Sequence, residues 1–361
     1  MKHVLYLSTN HSYGGSEKLW ITSAKEFSKS NKVSAYVHYE HDFIADLHAN
    51  FGVKVFRSTA KDSKWKGWFR SKFSGTLDLK LILIREQPDL VIINEGGVFS
   101  SFREMTLCRQ LNIPYVVLNG LVTNFHWLEV TDSFYERFIY LYENAKRLIF
   151  VSEQNKQLFF DILIPMPNAL VVKNPVAFNY PITTSYPEDV IYNIAFVGRF
   201  EFYHKGLDIL LAALLDSKWK TRNVRFNFYG DGPHKEILKF KIQTNHLSHC
   251  FVYDSNYDFT SIWAVNHIAI HTSRFEGKSL SITEAMYNKR PIIMTNVGGV
   301  SELIVDGVNG FVSRDISVEQ VSNTLERAWH QRASWEEMGI KSREVYDRLN
   351  ENLTLNQLIL S

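Results

Sequence analysis

The sequence predicts an α/β protein built from two doubly wound units, and three observations carry that prediction. A chain of 361 residues exceeds what one hydrophobic core usually serves. Its two halves open alike, with a short apolar run, a glycine-bearing loop and a helical pattern at Val4 to Phe27 and again at Tyr192 to Leu215. Between them the polar run AFNYPITTSYPED, Ala177 to Asp189, reads as a linker. The expected division is a first domain at 1–176, a linker at 177–190, a second domain at 191–345 and a terminal helix at 346–361.

Composition narrows the function classes. Hydrophobic residues at 45% and charged residues at 22% describe a folded globular chain. A formal charge of +2 is too small to mark a nucleic-acid binder, so no nucleic-acid partner is expected. Cys108 and Cys250 lie far apart with no paired spacing, which argues against a disulfide framework or zinc site and suits a reducing compartment. MKHVLYLSTN reads as a strand, not a signal peptide, and no apolar run approaches a membrane span. The expected location is cytoplasmic, with peripheral contact at the inner face of the membrane open.

In the first half, Val4 to Leu7 is a strand and STNHSYGGSEK a loop in which Gly14 and Gly15 let the backbone approach a ligand closely. Strands are expected at Lys32 to Tyr39 and Val53 to Phe56, with a helix from Asp42 to Ala49 between them. In KDSKWKGWFRSKF, Lys61 to Phe73, five cations interleave with four aromatic rings. That segment fits an anionic membrane surface, or a solvated loop whose tryptophans fold back onto the core. A helix from Leu77, the strand DLVIIN, a helix from Phe99 to Leu111 and a strand at Tyr115 to Leu118 follow. The loop NGLVTNFHWLEV, with Asn119, Gly120 and His126, then falls on the ligand-facing edge of such a sheet. Asp132 to Ala145, RLIFVS, Glu153 to Ile164 and ALVVKNPV complete the domain.

The second half restarts with IAFVG, whose Gly198 permits a sharp exit from the strand, then RFEFYHKG and the helix LDILLAALL. Arg199 and Lys205 flank that loop, and two cations at a strand's carboxyl end suit a diphosphate. The richest stretch is HTSRFEGKSLSITEAM, His271 to Met286. A buried strand leads into a loop carrying Glu276 and Gly277, and then into a helix with Glu284 in its first turn. A helix N-terminus offers unsatisfied N–H groups and a positive dipole end to phosphate, while flanking carboxylates accept hydrogen bonds from sugar and ribose hydroxyls. Ser281 and Glu284 equally fit a capping box.

The run SRFEGKSLSITEAMYNKRPIIMTNVGGVSELIVDGVNGFV resembles the donor-site signature of retaining glycosyltransferases of the GT-B architecture, family 4, in which two glutamates are separated by seven residues. Gly14, Gly15 and Glu17 resemble that family's GGxE loop. Arg199 and Lys205 stand at its arginine after the strand glycine and its lysine before the helix glycine, in a loop one residue longer than in many relatives.

The resemblance implies two Rossmann-like domains facing across a cleft, a terminal helix crossing back to the first domain, and transfer from a nucleotide-diphosphate sugar with retained anomeric configuration. It implies donor contacts from Gly277, Lys278, Ser279, Leu280 and Glu284, a sugar-positioning role for Glu276, and a nucleobase pocket near Val252 and Tyr253. The acceptor, a glycan or lipid-linked hydroxyl, falls to the first domain. There the chain departs from the family, because Asn119 and Gly120 occupy the place of a histidine that contacts the transferred sugar or acceptor. His126 is the candidate replacement, with a structural role beside Trp127 as its alternative. The sequence holds no D-x-D triplet, which suits metal-free chemistry with no cofactor beyond the sugar nucleotide. A catalytically silent nucleotide-sugar-binding subunit and a sugar-nucleotide epimerase remain as alternatives.

Overall fold

The computed structural model describes residues 1–11, 15–58, 78–124, 131–172, 185–253, 259–349 and 355–360. Contacts gather the chain into two compact units, Met1–Asn174 with Leu353–Ser361, and Pro175–Asn352.

In the first unit the order is β1 (His3–Ser8), α1 (Gly15–Phe27), β2 (Lys32–Val37), α2 (Asp42–Phe51), β3 (Lys54–Arg57), α3 (78–86), β4 (Leu90–Glu95), α4 (Phe102–Gln110), β5 (Tyr115–Asn119), α5 (Asp132–Glu143), β6 (Arg147–Phe150), α6 (Glu153–Ile162) and β7 (Ala169–Val171). The strands form one parallel sheet in the order β3-β2-β1-β4-β5-β6-β7. Every residue of β1, β4 and β5 is buried, which is why these segments read as continuous apolar runs without alternation. The chain steps outward from β1 to β3 and returns beside β1 as β4, so the sheet changes direction between β1 and β4.

The second unit repeats the plan with β8 (Tyr192–Val197), α7 (Phe202–Lys205), α8 (Leu207–Ala213), α9 (Lys218–Thr221), β9 (Val224–Tyr229), α10 (Lys235–Thr244), β10 (Cys250–Tyr253), α11 (Phe259–Val265), β11 (Ile268–His271), α12 (Leu280–Tyr287), β12 (Ile292–Thr295), α13 (Val300–Leu303), β13 (Gly310–Ser313), α14 (Val318–His330) and α15 (Trp335–Leu349). Its parallel order β10-β9-β8-β11-β12-β13 changes direction between β8 and β11. The last helix, α16 (Leu355–Leu360), belongs to the first unit. Leu355 and Ile359 join the core around Trp20 and Ala24, and Ser23 of α1 bonds Asn356.

Two segments depart from the sequence reading, and a third is one that reading does not assign. RFEFYHKG, expected as a loop, contains the helical turn α7. FTSIWAV, which the sequence reading does not assign, is the helix α11, with Ile262 and Trp263 buried against the sheet at 2% and 0% exposure. The helix expected from Phe99 begins at Phe102, since Phe99 sits at φ 71° with its N–H given to Tyr142 Oη.

Candidate functional site

The change of direction between β8 and β11 decides which side chains meet. Segments leaving the carboxyl ends of these neighbouring strands share one edge of the sheet, the usual place for ligands in such folds. Lys205, after β8, and Glu276, after β11, form an ion pair with Nζ 2.6 Å from Oε1 and side chains only 15% and 8% exposed. Ser273 Oγ donates to the same carboxylate oxygen at 2.8 Å.

The two segments are stapled together by backbone and side-chain hydrogen bonds. Thr272 Oγ1 donates to the Gly206 carbonyl at 2.9 Å, Arg274 N to the His204 carbonyl at 2.9 Å, and Arg274 clamps Asp208 with both guanidinium nitrogens. Gly206 ends α7 at φ 61°, and a Cβ there would lie 1.8 Å from the Thr272 carbonyl oxygen. Gly298, at φ 62°, fits under the same loop; its Cβ would lie 2.5 Å from the Glu276 carbonyl oxygen. The sequence reading had neither contact, since both depend on partners far away in the chain.

Burial works to raise the Glu276 pKa. The Lys205 ammonium, His204 and the hydrogen bonds from Lys205 and Ser273 outweigh it and hold the carboxyl at about 2. The group is therefore a charged acceptor throughout the physiological range.

Beyond Gly277 the chain enters α12. The cap is Ser279, not Ser281, and its side chain makes no capping bond to the helix. Ser281 lies inside the helix, where its Oγ meets Ser279 Oγ and His271 Nε2, each at 3.1 Å. Glu284, expected in the first turn, is the fifth helical residue and so sits in the second, buried at 6% exposure. One helical turn, about 5.4 Å, separates it from the helix start where Gly277, Lys278, Ser279 and Leu280 lie.

The remaining predicted residues are placed less tightly. Arg199, immediately beyond Gly198, has a side chain 59% exposed and a long ion pair to Glu201 at 3.8 Å. Val252 and Tyr253 end β10; the Tyr253 ring stacks on Tyr229 with centroids 4.8 Å apart. In the first unit Gly15 opens α1, while Gly14 lies outside the described residues, as do His126 and the whole run from Lys61 to Phe73. Asn119 closes β5 fully buried, and Gly120 N donates to the Glu95 carbonyl. A groove of about 570 Å³ between α4 and α5 includes none of the residues singled out from the sequence.

Glu17 lies at the first unit's own change of direction. Fully buried, it accepts hydrogen bonds from Ser8 of β1, Asn10, Trp20, Tyr39 and Asn94 of β4. It ties the ends of β1 and β4 to α1, so the third member of the GGxE-like loop is a knot within the fold. Sequence reasoning passed over Glu95, the next residue of β4. It is fully buried, held by Ser101 and Tyr142, and burial pushes its carboxyl up to about 7.

Comparison with known proteins agrees with this geometry. Residues 189–345 match the family model for glycosyl transferases group 1. An uncharacterized glycosyltransferase of Methanocaldococcus jannaschii is 28% identical over 68% of this chain and 71% of its own length. The poly(ribitol-phosphate) alpha-N-acetylglucosaminyltransferase of Staphylococcus aureus is 24% identical over 73% of this chain, which spans about half (52%) of that relative. Among solved structures, Anabaena HepE in complex with UDP-glucose superposes with a TM-score of 0.79 at 18% identity, covering 100% of this chain and 98% of its own. The fold is therefore GT-B, with two Rossmann-like units, and the second unit is the part of the chain that matches the glycosyl transferases group 1 model.

Proposed function

We propose that the protein is a retaining glycosyltransferase that moves a sugar from a nucleoside-diphosphate sugar to a hydroxyl of a glycan or lipid-linked acceptor, in bacterial polysaccharide or envelope glycan synthesis. The observation that carries the reading is the Lys205–Glu276 pair at the β8/β11 edge, beside the start of α12. Further support comes from the UDP-glucose of the HepE structure and from the Staphylococcus relative, whose name is that of an N-acetylglucosaminyltransferase.

In this reading Arg199, Lys205 and the N–H groups of Gly277 to Leu280 meet the diphosphate. As the bond from the anomeric carbon to phosphate oxygen breaks, negative charge grows on the leaving diphosphate, where fixed cations and a helix dipole lower the barrier most. Glu276 accepts from sugar hydroxyls while keeping Lys205 in place, and Glu284 accepts from the ribose. The acceptor oxygen attacks on the face the diphosphate leaves, and its proton passes to the departing phosphate oxygen. No covalent nucleophile is assigned.

A silent partner subunit is the second reading, favoured by one observation: Asn119, a fully buried amide, stands where the family carries histidine. The test is release of nucleoside diphosphate from a panel of sugar nucleotides, with and without glycan acceptors. Turnover by the wild type and its loss in Lys205→Ala and Glu284→Ala, both still folded, supports transfer. Wild-type turnover in both variants would remove the site assignment, and a chain that binds donor without any turnover would leave the silent subunit.

A further inference from the structure

His271 closes β11 fully buried, and neither the family resemblance nor the charge argument gives it a task. Its Nε2 lies 3.1 Å from Ser281 Oγ, which lies 3.1 Å from Ser279 Oγ at the start of α12. Its Nδ1 has no hydrogen-bond partner among the described residues, and the Phe196 ring packs at 5.4 Å. Burial first, and the Lys205 ammonium second, hold the imidazole pKa at about 4 against the opposing pull of Glu276, so the ring is neutral.

A neutral imidazole carries one proton, and its position can be argued from satisfaction. Placed on Nδ1, it would be a buried donor with nothing to accept it. On Nε2 it reaches Ser281, and only a lone pair goes unmatched, which is the lesser cost. Ser281 Oγ then accepts from His271 and turns its own hydrogen toward Ser279 Oγ. Ser279 Oγ thereby accepts from Ser281, and its own hydroxyl hydrogen is left to face an anion in front of α12.

We propose that His271, acting through Ser281, orients the Ser279 hydroxyl as a hydrogen-bond donor to the diphosphate of the bound sugar nucleotide. His271 is thus a positioning residue, and the inference rests on the donor-site reading above. The relay runs one way, so an alanine at either serine or an apolar residue at 271 breaks it at a different link with the same result.

The experiment is calorimetric titration of the whole chain with UDP, GDP and ADP, and with the nucleoside of whichever binds tightest. Expected are about tenfold losses of diphosphate affinity in Ser279→Ala, Ser281→Ala and His271→Leu. The Ser281→Ala/His271→Leu double variant should be no weaker than either single one. His271→Gln, whose amide nitrogen takes the place of Nε2, should stay within about threefold of the wild type. Nucleoside affinity should not change in any variant. Undiminished diphosphate affinity in Ser281→Ala and His271→Leu overturns the relay while leaving the donor site standing. Equal losses for nucleoside and diphosphate also overturn it, since that is the mark of a packing role. A wild type that binds none of the three diphosphates removes the donor-site reading and the relay together.

Discussion

Lys205 Nζ lies 2.6 Å from Glu276 Oε1, although 71 residues separate them in the chain. The pair joins the segment after β8 to the segment after β11 at the one place where the second sheet reverses its direction of growth. Each partner justifies the burial of the other's charge, and in the proposed reading the same pair meets the sugar nucleotide.

Removing one partner should therefore cost more than removing both. Lys205→Met leaves a carboxylate buried without its counter-ion and should destabilise the second unit by about 3–5 kcal/mol, whereas Lys205→Met/Glu276→Met should recover most of the loss. Urea unfolding of the three chains checks this, and sugar transfer should be absent from both variants. The folded Glu276 pKa of about 2 lies below its ordinary 4.5, so the pair's contribution is complete above pH 4.5 and fades as pH falls toward 2. A single variant less stable than the double one is the signature; equal stabilities would contradict it.

Gly206 is the structural condition for that pair. At φ 61°, with the Thr272 carbonyl oxygen 1.8 Å from where a Cβ would stand, Gly206→Ala must displace backbone on one side. The expected cost is about 2 kcal/mol or more, with loss of turnover, because Lys205 moves with the preceding turn. Thermal unfolding and an initial-rate assay on the same preparation check both halves. By contrast Gly52 also has positive φ, at 65°, but open space around it. Gly52→Ala should cost only the backbone term and leave turnover unchanged.

Glu95 predicts a pH dependence of opposite sense to that of Glu276. Burial raises its carboxyl from 4.5 to about 7, opposed by hydrogen bonds from Ser101 and Tyr142, so the folded protein holds a proton that the unfolded chain has released. Stability should fall as pH rises through this window, by about 3 kcal/mol in all. Glu95→Gln keeps an oxygen for Ser101 and carries no titrating group. It should flatten the decline between pH 5 and pH 8, measured by denaturant melts at several pH values. A slope unchanged by the substitution would assign the effect elsewhere.

The strands were legible because parallel strands covered on both faces leave an unmistakable mark: VLYL, LVII and IAFV are apolar without alternation. The charged side chains at their ends were legible too, since a lysine before a glycine and two glutamates with seven residues between them are local patterns. What the sequence did not hold is the contact between them. Nothing near Gly206 in the chain announces Thr272, because the sheet order sets that meeting, and the approach of Ser281 to His271 depends on how the loop between β11 and α12 turns. Ser281 read as a cap for the same reason: its spacing to Glu284 is right, but the helix starts earlier and the hydroxyl turns to a histidine. FTSIWAV has the composition of a strand and became α11 through the burial of Trp263 and Ile262, a tertiary effect that overrides local preference.

The most direct test of the central claim is a crystal structure of the chain soaked with the sugar nucleotide it binds tightest. The account predicts density for the diphosphate within hydrogen-bond distance of Arg199, Lys205 and the N–H groups of Gly277 to Leu280, with the ribose at Glu284 and the sugar at Glu276. A diphosphate bound elsewhere, with the Lys205–Glu276 pair untouched by ligand, would contradict it.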